Sequence, residues 1–151
     1  MSEHSIPAEL PSWIAEHVEL YLEDPEKAHM WDSTPRGGPG VLPTLLLTTT
    51  GRKSGLARLL PLLYVKVDGG FVVIASKGGA PQHPAWYLNL VETPACEIRV
   101  GKEHYRVNAR VSEGEERAEL WKEMAEMYPP YDDYQVATNR EIPVVVLEPV
   151  D

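Results

Sequence analysis

Three short stretches of this 151-residue chain hold the side chains with the most chemistry in them. The first is "TTTGRKSGLAR", where Arg52, Lys53 and Arg58 crowd a turn between two hydrophobic runs. A turn with glycine at each end, here Gly51 and Gly55, can present backbone N–H groups to an anion, and the three cations add charge and forked hydrogen bonds. The second is "ASKGG": Ser76 offers a hydroxyl, Lys77 a cation, and Gly78 and Gly79 let a ligand approach the backbone. The third is "YPPYDDY", where Tyr128, Tyr131 and Tyr134 recur at steps of three, so that on a helix their rings share one face and wall a pocket. A phenol with an ordinary pKa of about 10 stays neutral at pH 7 and can donate a hydrogen bond to a carbonyl oxygen gaining negative charge. Spacing alone also allows a solvated turn for the cations and three half-buried core tyrosines.

The charge distribution favours a small anion. The chain has a formal charge of -9, yet Ser33 to Val91 contains one acid, Asp68, against six cations, Arg36, Arg52, Lys53, Arg58, Lys66 and Lys77. Keeping acids out of one block of an acidic protein marks a basic site. Nucleic acid is not the expected partner, because the acidic remainder repels a phosphate polymer and no basic stripe with interleaved aromatics is present. Other chemistries lack their signatures. "GRKS" has Arg52, not glycine, before Lys53, so it is no nucleotide-hydrolase phosphate loop, and neither G-x-G-x-x-G nor G-x-S-x-G occurs. His4, His17, His29, His83 and His104 show no metal-ligand spacing, so no metal is expected. The single Cys96 has no partner for an internal disulfide and reads as a small core residue. The absence of a long apolar run and of a secretory pattern in "MSEHSIPAEL" makes the cytoplasm the expected compartment. Contact with the inner membrane face stays open, though the acids of the N-terminal segment oppose anionic lipid.

The elements that must position these residues follow from periodicity. "WIAEHVELYLED" is an amphipathic helix, "DPEKAHMWD" adds a helical turn, and "STPRGGPG" breaks the chain. "TLLLTTT" is a strand, "RLLPLLYVKVD" and "FVVIASK" a hairpin about Gly69-Gly70, with Pro61 at an edge or bulge. A short helix begins near Pro84; "ACEIRVGKEHYRVNARVS" is a second hairpin turning at Gly101 to Glu103. Glu113 to Met127 form a helix, "PPYDDYQ" another helical turn, and "IPVVVLEP" closes the chain as a strand. About six antiparallel strands with irregularly placed helices predict a mainly β, α+β sheet or small barrel. The expected division is a helical segment and Pro/Gly linker over 1–40 and a barrel over 41–151.

In order, "LLTTTGRKSG", "PLLYVKVDGG", "ASKGGAPQHPAWYLNL", "MYPPYDDYQ" and "IPVVVLEP" resemble the deazaflavin-dependent nitroreductase family, whose members use coenzyme F420. The resemblance runs from about Leu45 to Pro149. It implies a split β-barrel related to flavin reductases and FMN-binding proteins, and a cofactor with a phosphate and a glutamate tail. On the matched positions, Arg52, Lys53 and Arg58 hold that tail, while Tyr64, Ser76, Lys77, Gly78, Trp86 and Asn89 line the rest of the cofactor site. Tyr128, Tyr131 and Tyr134 wall the substrate, and these phenols with Ser76 are the candidate catalytic donors. The implied reaction is hydride transfer from reduced F420 to a quinone-like or other activated acceptor, with nitroimidazole reduction as an adventitious extension. The alternatives are an FMN-binding split-barrel reductase and a non-catalytic carrier of F420 or a hydrophobic anion. Small split barrels commonly pair, so a homodimer is the expected assembly.

Overall fold

The computed structural model describes residues 11–150 and the backbone of His4–Ser5. The reading of residues 1–10 as free of a secretory pattern therefore falls, apart from that pair, outside the described residues. In chain order the elements are β1 (His4–Ser5), α1 (Ser12–Glu23), α2 (Pro25–His29), β2 (Met30–Asp32), β3 (Val41–Thr50), β4 (Ala57–Leu63), β5 (Val65–Val67) and β6 (Gly70–Ile74). They continue with α3 (Ala85–Glu92), β7 (Ala95–Val100), β8 (Glu103–Val111), α4 (Gly114–Met127), α5 (Pro130–Val136) and β9 (Val144–Pro149).

The strands form one sheet in the order β1-β4-β3-β7-β8-β9-β6-β5, with β2 also paired to β3. Every pairing is antiparallel except that of β1 with β4. Consecutive strands β4 and β5 lie toward opposite edges of that order, yet a single residue, Tyr64, joins them. One residue spans only about 3.5 Å, so the sheet must curl until its two sides meet. That topology makes it a split β-barrel rather than an open sheet.

Burial explains which segments became which elements. Phe71, Val73, Val145 and Leu147 face the barrel interior with Leu45, Leu47, Ile98, Val107, Trp86 and Leu90. Their alternates Val72, Ile74, Val144 and Val146 face outward and are covered by Leu120 and Met124 of α4 and by Tyr131 of α5. Strands buried on both faces read as unbroken apolar runs, as "FVVI" and "VVVL" do. Between these interior residues of β3, Leu46 turns the other way and joins Leu59, Val18, Tyr21 and Ala28 beneath α1 and α2. Tyr21 fastens that layer, donating its hydroxyl to the Thr44 carbonyl at 2.7 Å and accepting from the Gly101 amide at 3.1 Å.

Two local expectations change. The strand count rises to nine among the described residues, because β1 and β2 are too short to show in the sequence pattern and the apolar run over Arg58 to Asp68 is two strands. Its first part, β4, pairs with β3, and only its second part, β5, forms the hairpin with β6. Pro61 does sit at an edge: it pairs with Leu46, and β1 reaches no further than Ala57 and Arg58. Among the described residues no helix is long and apolar enough to cross a membrane.

Candidate active site

The cation turn lies between β3 and β4 and is braced from α3. Gly51 closes it by donating to the Leu56 carbonyl at 2.8 Å, and a Cβ at Gly51 would stand 2.7 Å from Ser54 Oγ, so the turn leaves no room for a side chain there. Buried Asn89 accepts from both the amide and Nη1 of Arg52, at 3.1 and 3.2 Å, and donates to Thr49 Oγ1 at 3.2 Å. The Arg52 amide is thus committed to Asn89 and is not free for an anion. Arg58 Nη2 donates to Ser54 Oγ at 3.2 Å.

The "ASKGG" loop leaves β6 in an uncommon backbone conformation. Lys77, Gly78 and Gly79 have φ of 47°, 63° and 83°, three consecutive left-handed residues of which only the glycines adopt that region without strain. Gly79 also packs where a Cβ would stand 2.7 Å from the Tyr134 carbonyl oxygen. The side chain that clamps the loop is Arg140, which the sequence reading does not single out. Its guanidinium donates to the carbonyls of Ala80 at 2.9 Å, Ala75 at 3.2 Å and Ser76 at 2.8 Å. It also donates to His83 Nδ1 at 3.1 Å, which fixes the neutral His83 tautomer with its proton on Nε2, since a guanidinium cannot accept. Burial and then the Arg140 charge hold the His83 pKa below its ordinary value.

The three tyrosines are brought together as their spacing predicts, one at the end of α4 and two on α5. The ring of Tyr128 lies 4.9 Å from that of Tyr131, and the ring of Tyr134 6.1 Å from Tyr131. Trp121 ties the two helices by donating to Asp132 at 2.8 Å. Each phenol has one proton, and two are already spent. Tyr128 donates to the Arg36 carbonyl at 3.2 Å, so the 3.2 Å contact between the Tyr128 and Tyr134 hydroxyls has Tyr134 as donor. The Tyr131 hydroxyl makes no hydrogen bond among the described residues, so its proton is the available one. Burial, with the neighbouring phenols adding to it, drives the Tyr131 pKa far above its ordinary value; Tyr128 is raised by burial and by Tyr134. Both stay neutral donors across the physiological range.

A cleft of about 1010 Å³ joins the three stretches. Of the expected residues, Arg52, Lys53, Arg58, Ser76, Lys77, Gly78, Trp86, Asn89, Tyr128, Tyr131 and Tyr134 line it. Tyr64 is not brought to it. At the β4–β5 junction its ring packs on Phe71 at 5.6 Å inside the barrel, and its hydroxyl meets His29 Nε2 at 2.8 Å. Burial first, then Tyr21 and Tyr105, pushes its pKa up to about 12. Lining residues outside the expected set include Trp13, His17, Trp31, Arg36 and Ser54. Among the described residues no Asp or Glu lines the cleft, against five Lys and Arg. Cys96 packs against the barrel core, where burial and Glu97 push its thiol up to about 12, far from a reactive thiolate. Among the described residues no group of three or more His, Cys, Asp or Glu is placed to hold a metal ion.

Residues 27–149 match the family described as F420H(2)-dependent quinone reductase. The chain belongs to this family. An F420H(2)-dependent quinone reductase of Mycobacterium tuberculosis (strain H37Rv) is 37% identical over 145 residues, covering 92% of this chain and 97% of that one. A solved F420-H2 dependent reductase is 45% identical, covers 70% of this chain and 93% of its own, and superposes with a TM-score of 0.65. A second solved structure, described as a domain-swapped dimer, is 39% identical, covers 91% of this chain and 98% of its own, and has a TM-score of 0.68. Membership makes this chain an F420H2-dependent reductase. The cleft fits such a cofactor, because five cations and, among the described residues, no carboxylate would face a ligand with acidic groups.

Proposed function

We propose that this cleft holds reduced F420 beside a quinone-like acceptor and reduces that acceptor to the hydroquinone. The observation that carries the reading is the charge of the cleft, lined by Arg36, Arg52, Lys53, Arg58 and Lys77 and, among the described residues, by no carboxylate, in a chain of formal charge -9. Arg52, Lys53 and Arg58 take the acidic tail, with Asn89 fixing Arg52 in place. Ser76, Lys77, Gly78 and Trp86 contact the rest of the cofactor. Reduced F420 supplies a hydride when bound. The quinone takes up that hydride, a two-electron reduction, and one proton. Tyr131 steadies the developing oxyanion by hydrogen bonding, and Tyr128 and Tyr134 hold Tyr131 in place by ring packing. With its pKa raised by burial, Tyr131 is a donor of hydrogen bonds rather than a source of protons, so the proton comes from water.

The test is titration of the purified protein with oxidised F420 and, separately, FMN, followed by tryptophan fluorescence, and then oxidation of reduced F420 by menadione. Micromolar F420 binding, no FMN response and menadione-dependent turnover are expected. FMN binding alone would overturn the cofactor assignment, and F420 binding without turnover on any quinone would leave only a carrier. We also take the chain to form a dimer: β4 is an apolar strand with most of its residues half-exposed, and one solved relative is a domain-swapped dimer. Sedimentation at the monomer mass across micromolar concentrations would refute the pairing.

A further inference from the structure

We infer that the cleft contains a subsite for the acidic substituent of a planar aromatic acceptor, formed by Arg36 and the Trp13–Trp31 stack. The inference rests on the quinone reading above and narrows its substrate class. Trp13 and Trp31 stack with ring centroids 5.8 Å apart and planes 19° apart, and the His17 ring continues the stack at 6.5 Å and 19° from Trp31. The Arg36 guanidinium lies over Trp13, 4.0 Å from the ring centroid. All four residues line the same cleft as the phenols.

Arg36 is fixed relative to Tyr128 by its backbone. Its carbonyl accepts the Tyr128 hydroxyl at 3.2 Å, and two residues on a Cβ at Gly38 would stand 2.9 Å from Tyr128 Cε1, so the turn presses directly on that ring. One face of the guanidinium is occupied by Trp13, and its N–H edge forms no ion pair among the described residues. His17 donates Nε2–H to the Ala28 carbonyl at 2.9 Å, and burial lowers its pKa, so it adds no charge at neutral pH. Stacked rings with one forked cation laid over Trp13, in a cleft that also holds a hydroxyl donor, select a ring system that carries a carboxylate, sulfonate or other acidic oxygen group.

Binding of anthraquinone-2-sulfonate and of uncharged 2-(hydroxymethyl)anthraquinone, read by quenching of tryptophan fluorescence without F420, tests this directly. The expected wild-type result is a preference for the sulfonate of about tenfold, the ratio one charge-assisted hydrogen bond supports. Arg36→Met, which keeps an aliphatic stem on Trp13, should bring the ratio to about one, while Arg36→Lys retains a few-fold preference. Lys53→Ala should leave the ratio unchanged. No preference in the wild type, a preference that survives Arg36→Met, or one removed by Lys53→Ala would overturn the subsite; the last result would put the sulfonate on the cofactor turn. Because cofactor is absent, failure here is separable from failure of the reductase reading, which menadione turnover decides.

Discussion

Arg140→Ala asks whether a single side chain holds the "ASKGG" loop in its left-handed path. Three of its bonds end on loop carbonyls, of Ala75, Ser76 and Ala80, at 3.2, 2.8 and 2.9 Å. Ser76 and Ala80 are partly exposed, so water replaces the lost donor and the net loss is about 1 kcal/mol each, whereas Ala75 is buried and its stranded carbonyl costs about 2 kcal/mol. The sum, about 4 kcal/mol, corresponds to a fall in Tm of roughly 8–16 °C for a chain of this size. The same loop carries Ser76, Lys77 and Gly78, so part of the ordering must then be supplied by F420 itself. If half is, affinity falls by about 2 kcal/mol, or roughly 30-fold. Arg140→Lys keeps the charge but not the fork, and should recover less than half of both effects. Melting curves and F420 titrations of the two variants measure this. A melting point that drops while F420 affinity stays within twofold would show that the loop finds its conformation without the clamp, and the reasoning would be wrong.

Tyr131→Phe removes a hydroxyl that makes no hydrogen bond, so it should leave Tm within about 2 °C and lower kcat about tenfold or more, while Tyr128→Phe breaks the bond to Arg36 and should lose about 1 kcal/mol of stability; parallel melts and menadione kinetics separate the two. Gly79→Ala drives a Cβ to 2.7 Å from the Tyr134 oxygen at φ +83°, and should cost more than 2 kcal/mol and weaken F420 binding, whereas Gly78→Ala meets open space and should cost about 1 kcal/mol; chemical denaturation reads both. His17 and His83 have pKa values lowered by burial, so above pH 6.5 both are neutral whether folded or unfolded, and as pH falls below that the unfolded chain takes up protons the folded one refuses. Stability should therefore decline between pH 6.5 and 5, by at most about 2 kcal/mol for His17, and His17→Gln should flatten the decline in melts at the two pH values.

The barrel is legible where one local pattern has one reading. "FVVI" and "VVVL" have to be strands buried on both faces, and Gly101 marks the β7–β8 turn. The break at Tyr64 is not legible, because "RLLPLLYVKV" carries no glycine and keeps a strand pattern throughout; only the closure of the barrel hands the chain from one side of the sheet to the other. Tyr64 lies off the cleft for a related reason. Motif adjacency puts it near the site along the chain, but successive strand residues face opposite ways, and its ring faces inward. Arg52 to Arg58, the "ASKGG" loop and the tyrosines stand out because unusual residue types cluster within a few positions. Arg140 cannot, since its partners lie 57 to 65 residues earlier and an isolated arginine in a loop carries no local signal.

The site draws on two parts of the fold. The cation turn, the "ASKGG" loop and the three tyrosines all fall inside the residues matched to the family, which begin at 27. Pro11, Trp13, Ile14 and His17 line the same cleft from before that point. They belong to α1 and the residue preceding it, and α1 docks on the sheet through Val18 and Tyr21, against Leu46 and Leu59. Trp13 adds to that docking by stacking on Trp31 of β2, so it serves the packing of α1 and the wall of the cleft together. Asn89 braces the cation turn and Arg140 clamps the "ASKGG" loop, which leaves both little freedom. On the proposed reading, cofactor use rests on the turn and loop of the barrel, whereas α1 adds to acceptor choice through Trp13, so two members of the family with the same cation turn can differ in the acceptors they reduce.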